Sequence, residues 1–148
     1  MNKKKLLTIL LTMVTLSTFA QGTAATKQDF DWNPVMDAII WHESKGVATA
    51  RHGQFVGVLQ IHPVLVNGVN KILAARGDST RFTLNDRLSP EKSKQMFVII
   101  QQHYNPECDV DKAIRIWAAG PGYTIRGTQR AVNEIRAIMK KQELQRRK

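Results

Sequence analysis

Asn33-Pro34-Val35-Met36-Asp37-Ala38-Ile39-Ile40-Trp41-His42-Glu43-Ser44, closed by Lys45-Gly46, is the stretch from which the rest of the chain is read. Asn33-Pro34 has the form of a helix start, with Asn as N-cap and Pro in the first helical position. Val35, Met36, Ile39 and Ile40 recur at helical spacing, so one face is apolar and directed to a core. Glu43 follows Ile39 by four residues and Ile40 by three, which puts a carboxylate at the end of that apolar stripe. A carboxyl group half sunk in apolar surroundings has its charged form disfavoured. Such a glutamic acid stays protonated near neutral pH and can serve as a general acid. Position alone also allows a Glu43 that sits at the helix rim and points to water.

Residues 1–20 read as a signal peptide rather than as part of a fold. Lys3, Lys4 and Lys5 precede a mostly apolar run from Leu6 to Phe19, and Thr18-Phe19-Ala20 suits cleavage before Gln21. Thr23-Ala24-Ala25 offers a second site. The apolar run is short for a span of about 20 residues, and no cysteine follows it closely enough for a lipoprotein anchor. Export to the periplasm or cell envelope of a bacterium is therefore expected. Residues 21–31 are polar and read as a flexible segment. Residues 32–148 then form one domain, large enough for a single modest core. No further stretch is apolar enough to span a membrane.

Loss of three lysines with the leader lowers the formal charge from +10 to +7. That charge suits an anionic polymer or surface, whether cell wall, nucleic acid or lipid headgroups, and does not choose among them. Much of it lies in the tail Lys140-Lys141…Arg146-Arg147-Lys148. Trp32, Trp41 and Trp117 are not interleaved with the basic residues as a single-strand binder requires, so no nucleic-acid partner is expected. The sole cysteine, Cys108, has no intramolecular partner for a disulfide and reads as a loop thiol beside the turn Asn105-Pro106-Glu107. His42, His52, His62 and His103 match no metal-ligand spacing, so neither metal nor cofactor is expected.

Downstream, Val47 to Val58 lacks helical periodicity and suits a short hairpin or an extended loop. His62-Pro63 opens a second helix to about Ala75, with Val64, Leu65, Val69, Ile72 and Leu73 as its buried side. Gly77 stops it. Ser89-Pro90-Glu91 starts a third helix whose apolar side is Met96, Phe97, Ile99, Ile100, His103 and Tyr104. Asp109 or Asp111 caps a short helix through Trp117, and Ala119-Gly120-Pro121-Gly122 forces a tight turn. A last helix runs from about Thr128 into the charged tail. The expected fold is mainly α, with five to seven helices and at most a small β-hairpin.

Three segments carry the candidate chemistry: Glu43-Ser44, then Gly57-Val58-Leu59-Gln60-Ile61, then Trp117-Ala118-Ala119-Gly120-Pro121-Gly122-Tyr123. Each is common alone, but their order and spacing resemble the lytic transglycosylase domain of the lysozyme-like superfamily. There a catalytic Glu-Ser pair is followed by a Gly-Leu-Met-Gln-Ile-type string and a Tyr-Asn-Ala-Gly-Pro-Gly-type turn. Ser89-Pro90-Glu91 looks like a further landmark between them. The resemblance runs from about Asp31 to Tyr123.

It implies an α+β lysozyme-like fold and non-hydrolytic cleavage of the glycan strands of peptidoglycan, without a cofactor. Glu43 would be the single acid and base, with Ser44 its polar neighbour. Gln60 would line the sugar groove, Gly57 would let backbone approach substrate, and Gly120, Pro121 and Gly122 would shape the far wall. Trp117 would keep a stacking surface and Tyr123 would be a contact. Ala118 departs from the pattern by removing an amide able to bond a sugar. Glu43 also has no acidic partner in the loop that follows it. These two points support a second reading, a catalytically weak or inactive lysozyme-like module that binds glycan or braces an envelope secretion or conjugation system.

Overall fold

A computed structural model of the chain describes residues 30–148, so the expected leader and most of the segment 21–31 lie outside the described residues. The chain is mainly helical. In order come α1 (Asn33–Ser44), a hairpin of β1 (Arg51–His52) and β2 (Phe55–Val56), and α2 (Pro63–Ala75). A 3₁₀ turn (Leu84–Leu88), α3 (Pro90–Tyr104), α4 (Val110–Ala119) and α5 (Ile125–Arg146) complete it. The strands are antiparallel, with Arg51 opposite Val56 and His52 opposite Phe55. This is the expected fold class. Among the described residues, no helix is long and apolar enough to cross a membrane.

One hydrophobic cluster joins all five helices to the loop after the hairpin. Val35, Met36, Ala38 and Ile39 of α1 meet Val58, Leu59 and Ile61, with Met96 and Phe97 of α3, Ile114 of α4 and Val132 and Ile135 of α5. Helix α1 packs chiefly against α5, which also covers α4, while α2 packs on α3. The end of α1 is thus held between the hairpin loop and the two C-terminal helices.

The start of α1 differs from the expected one. Asn33 lies inside the helix and Trp32 occupies the cap position without a side-chain cap bond. Asp31 Oδ1 accepts from the Asn33 backbone N–H at 2.9 Å and from Asn33 Nδ2 at 2.8 Å. Trp32 is buried, its ring edge-on to Phe97 at 5.8 Å. The entry to the helix is therefore fixed by an aromatic anchor in the core, with an aspartate satisfying the first donor.

The later starts follow local rules. The His62 ring accepts from Val64 N–H, Ser89 Oγ from Lys92 N–H and Asp109 Oδ1 from Lys112 N–H. Gly77, at φ +74°, closes α2 while Asp78 N–H bonds Leu73 C=O. Two buried faces were expected differently. In α2 it is Val66, not Val64, that is buried with Val69, Ile72 and Leu73. Val64 falls about 140° from Val69 around the helix and points to water. In α3, His103 and Tyr104 are exposed because the last turn outruns the core, and Gln101 is buried instead. Gln101 Oε1 accepts from Asn105 Nδ2, and that buried asparagine latches onto Asp109 to bind the turn before α4. Helix α5 begins three residues before Thr128, at Ile125, because the Thr124 hydroxyl caps it by accepting from Gly127 N–H.

Candidate active site

The string Gly57-Val58-Leu59-Gln60 is a tight turn. Val56 and Ile61 pair across its base, and Gln60 N–H bonds Gly57 C=O at 3.1 Å. Val58 and Leu59 are buried, so their carbonyls need partners that a turn does not supply. Side chains supply them. Gln60 Nε2 donates to Gly57 C=O at 2.8 Å, Ser44 Oγ to Val58 C=O at 2.8 Å, and Trp117 Nε1 to Leu59 C=O at 3.2 Å. The three segments singled out in the sequence thus meet at three successive carbonyls of one turn.

Ser44 is buried and also accepts from Gly46 N–H, so it clips the end of α1 to the turn. Gln60 adopts φ +48°. Its amide also reaches Ala50 C=O, and its Oε1 pairs with His52 Nδ1 at 3.1 Å, tying the turn to the hairpin. At Gly57, φ is +85° and an added Cβ would lie 1.8 Å from Arg87 O. The backbone approach that requires this glycine is therefore to the chain's own 3₁₀ turn. Arg87 escaped the sequence reading. It is buried, and its guanidinium donates to Gln54, Ile61 and Leu84 carbonyls at 3.0, 3.1 and 2.8 Å. The Thr83-Leu84-Asn85-Asp86 capping pattern that precedes it was a legible signal, since Asp86 Oδ2 accepts from Thr83 N–H at 2.6 Å.

Glu43 stands next to Ser44, with its side chain about one-third exposed. It borders a narrow cleft with Ile39, His42, Ile114, Trp117, Ala118, Ala131 and Ile135. The enclosed space is about 20 Å³, the room of roughly one water, so anything larger meets Glu43 from its solvent side. Trp117 packs on Phe97 at 5.0 Å between ring centres, which fixes the indole beside the carboxylate. Ala118, where the resembling family carries asparagine, lies in the same wall. Gly120 and Tyr123 sit across the turn after α4, where Tyr123 N–H bonds Gly120 C=O at 3.2 Å and the half-buried Tyr123 packs on the core. The structure brings Ser44, Gly57, Gln60 and Trp117 together at the turn, and Glu43 borders the cleft that Trp117 lines. Gly120 and Tyr123 belong to the adjoining turn.

Two side chains at Glu43 were not anticipated. His42 Nδ1 lies 3.2 Å from Glu43 Oε1, and His42 Nε2 lies 3.1 Å from Glu134 Oε2 on α5. Arg130 pairs in turn with Glu134 at 3.3 Å. Helix α5 thus carries a second carboxylate, Glu134, to the histidine that contacts Glu43. Among the described residues, no group of three or more His, Cys, Asp or Glu side chains is arranged to hold a metal ion. No known protein family, curated protein or solved structure matches the chain.

Proposed function

We propose that this protein is an exported enzyme that cleaves the MurNAc–GlcNAc bond of peptidoglycan without hydrolysis, leaving anhydro-muramic ends. One observation supports the reading above the others. Ser44, Gln60 and Trp117, from three separated segments, converge on the carbonyls of a single turn, and Glu43 projects from the same assembly with an apolar wall beside it. The apolar wall covers one side of the carboxyl, while its exposed side leaves it accessible to a large substrate.

The protonated carboxyl of Glu43 gives its proton to the glycosidic oxygen as the bond to the muramic C1 breaks. Positive charge develops on the ring, and the sugar's own hydroxyl attacks C1. The Glu43 carboxylate then takes the hydroxyl proton and is restored to the acid. Neither water nor a second nucleophile enters the balance. Trp117 holds the turn and offers an aromatic edge, and Gln60 keeps the hairpin beside it in one conformation. Digestion of purified sacculi followed by mass spectrometry tests the proposal. Anhydro-muramic ends support it, and reducing ends indicate a lysozyme-type hydrolase.

Ala118 favours a second reading. An alanine in the wall next to Glu43 presents no amide to a sugar, which suits a module that binds glycan or braces an envelope secretion or conjugation complex. Retention of the protein on sacculi with no released fragments, unchanged by Glu43→Gln, is the outcome that selects it.

A further inference from the structure

The side chain of His42 occupies a place that no part of the glycan reaction above assigns. Its two ring nitrogens face two carboxylates on different helices, Glu43 of α1 at 3.2 Å and Glu134 of α5 at 3.1 Å. A neutral imidazole has one N–H donor and one acceptor nitrogen, whereas an imidazolium has two donors. If the ring carries one proton, it donates to one carboxylate, and the contact with the other requires a proton on that acid. If it carries two, it donates to both. In either state the orientation of Glu43 is coupled to that of Glu134 through the ring. The other charged group facing this chain of contacts is Arg130, paired with Glu134 at 3.3 Å. The remaining residues around Glu43 and His42 in the cleft are apolar: Ile39, Ile114, Trp117, Ala118, Ala131 and Ile135.

We infer that Glu134 is a positioning residue of the site, acting through His42 to fix the ring and thereby the rotamer of Glu43. The inference rests on Glu43 being the acid of the proposed reaction. With Oε1 of Glu43 engaged by His42, its second oxygen is left for the ligand that approaches from solvent. A carboxyl held in one rotamer meets the glycosidic oxygen without first being ordered, a gain that appears in turnover rather than in binding. Helix α5 in this way contributes to the chemistry of a residue 91 positions earlier in the chain.

The test uses the full chain acting on soluble, uncrosslinked glycan strands. Glu134→Ala is expected to lower kcat roughly tenfold with KM within about twofold. Glu134→Gln keeps an oxygen able to accept from Nε2–H and is expected to recover most of kcat. Arg136→Ala breaks a comparable exposed ion pair between α5 and α4, Arg136 Nε to Asp111 at 2.7 Å, and is expected to leave kcat unchanged. Full kcat in Glu134→Ala overturns the inference, as does a loss equal in Glu134→Ala and Arg136→Ala. A second readout does not depend on turnover. The ¹⁵N shifts of the His42 ring are expected to move in both Glu43→Gln and Glu134→Gln, and a ring indifferent to Glu134 overturns the coupling. If wild-type protein cleaves no glycan, the enzymatic reading fails while the ring shifts still decide the coupling.

Discussion

Gly57→Ala is the perturbation that best separates a backbone preference from a packing demand. At φ +85° an L-residue costs about 1–2 kcal/mol. The added Cβ would also sit 1.8 Å from Arg87 O, against an ordinary contact of about 3.4 Å or more. Relief requires the Arg87 carbonyl to retreat by more than an ångström. That carbonyl accepts from the buried Ser93 Oγ at 3.1 Å, and the Arg87 side chain grips Gln54 and Ile61. Loss of two or three such bonds adds about 2–3 kcal/mol, for a total of about 3–5 kcal/mol. Gly53→Ala is the internal control: φ is +59° there, and nothing lies within 4 Å of the added Cβ. Both substitutions alter the unfolded chain alike, so that contribution cancels in their difference. Urea unfolding followed by tryptophan fluorescence should place Gly57→Ala about 2–3 kcal/mol below Gly53→Ala. A difference under about 1 kcal/mol would show that the 3₁₀ turn yields to the methyl group, and the packing argument would fail.

Other outcomes follow from the same geometry. Glu43→Gln should reduce glycan cleavage by roughly a hundredfold or more without lowering the unfolding midpoint, and retained activity in a sacculus digest would remove Glu43 from the mechanism. Ser44→Ala leaves the buried Val58 carbonyl without its 2.8 Å donor and should cost about 1–3 kcal/mol in denaturant unfolding. Trp117→Phe keeps an aromatic ring but deletes the donor to Leu59 C=O, and should lower stability by about 1–2 kcal/mol. Asp86 is held below the usual carboxylate range by the Lys92 ammonium at 2.6 Å and by the Thr83 N–H. Its contribution is present above the unfolded-state pKa and is lost as pH falls through the lower folded value. Wild type should therefore lose its advantage over Asp86→Asn on acidification below about pH 4, measured as the gap between their unfolding free energies.

What the sequence determined was local. Pro63, Pro90 and Asp109 mark helix starts because proline's fixed φ and an acceptor over the first free N–H groups act within three or four residues. Gly77 marks a stop for an equally local reason, its left-handed φ. The apolar spacing of α1 foretold Val35, Met36 and Ile39 in the core, and the three spaced motifs turned out to share one turn. Glu43 was found by the same kind of reasoning, as a carboxylate ending an apolar stripe.

Tertiary structure decided everything that depends on which distant atoms arrive at one place. The glycine of the Gly57 string is required by Arg87, thirty residues on, whose burial no periodicity announces. By contrast, Val64 and Val66 are equally apolar, but helical spacing from Val69 and Leu73 already turns Val66 inward and Val64 outward. Glu134 lies on a helix face of ordinary charged pattern and looks like one more solvated acid. It reaches His42 because α1 and α5 bury their apolar faces against each other, and that packing sets their register. A second carboxylate at the site is therefore a property of the packed helices, since hydrophobic contact aligns residues that carry no mutual signal along the chain.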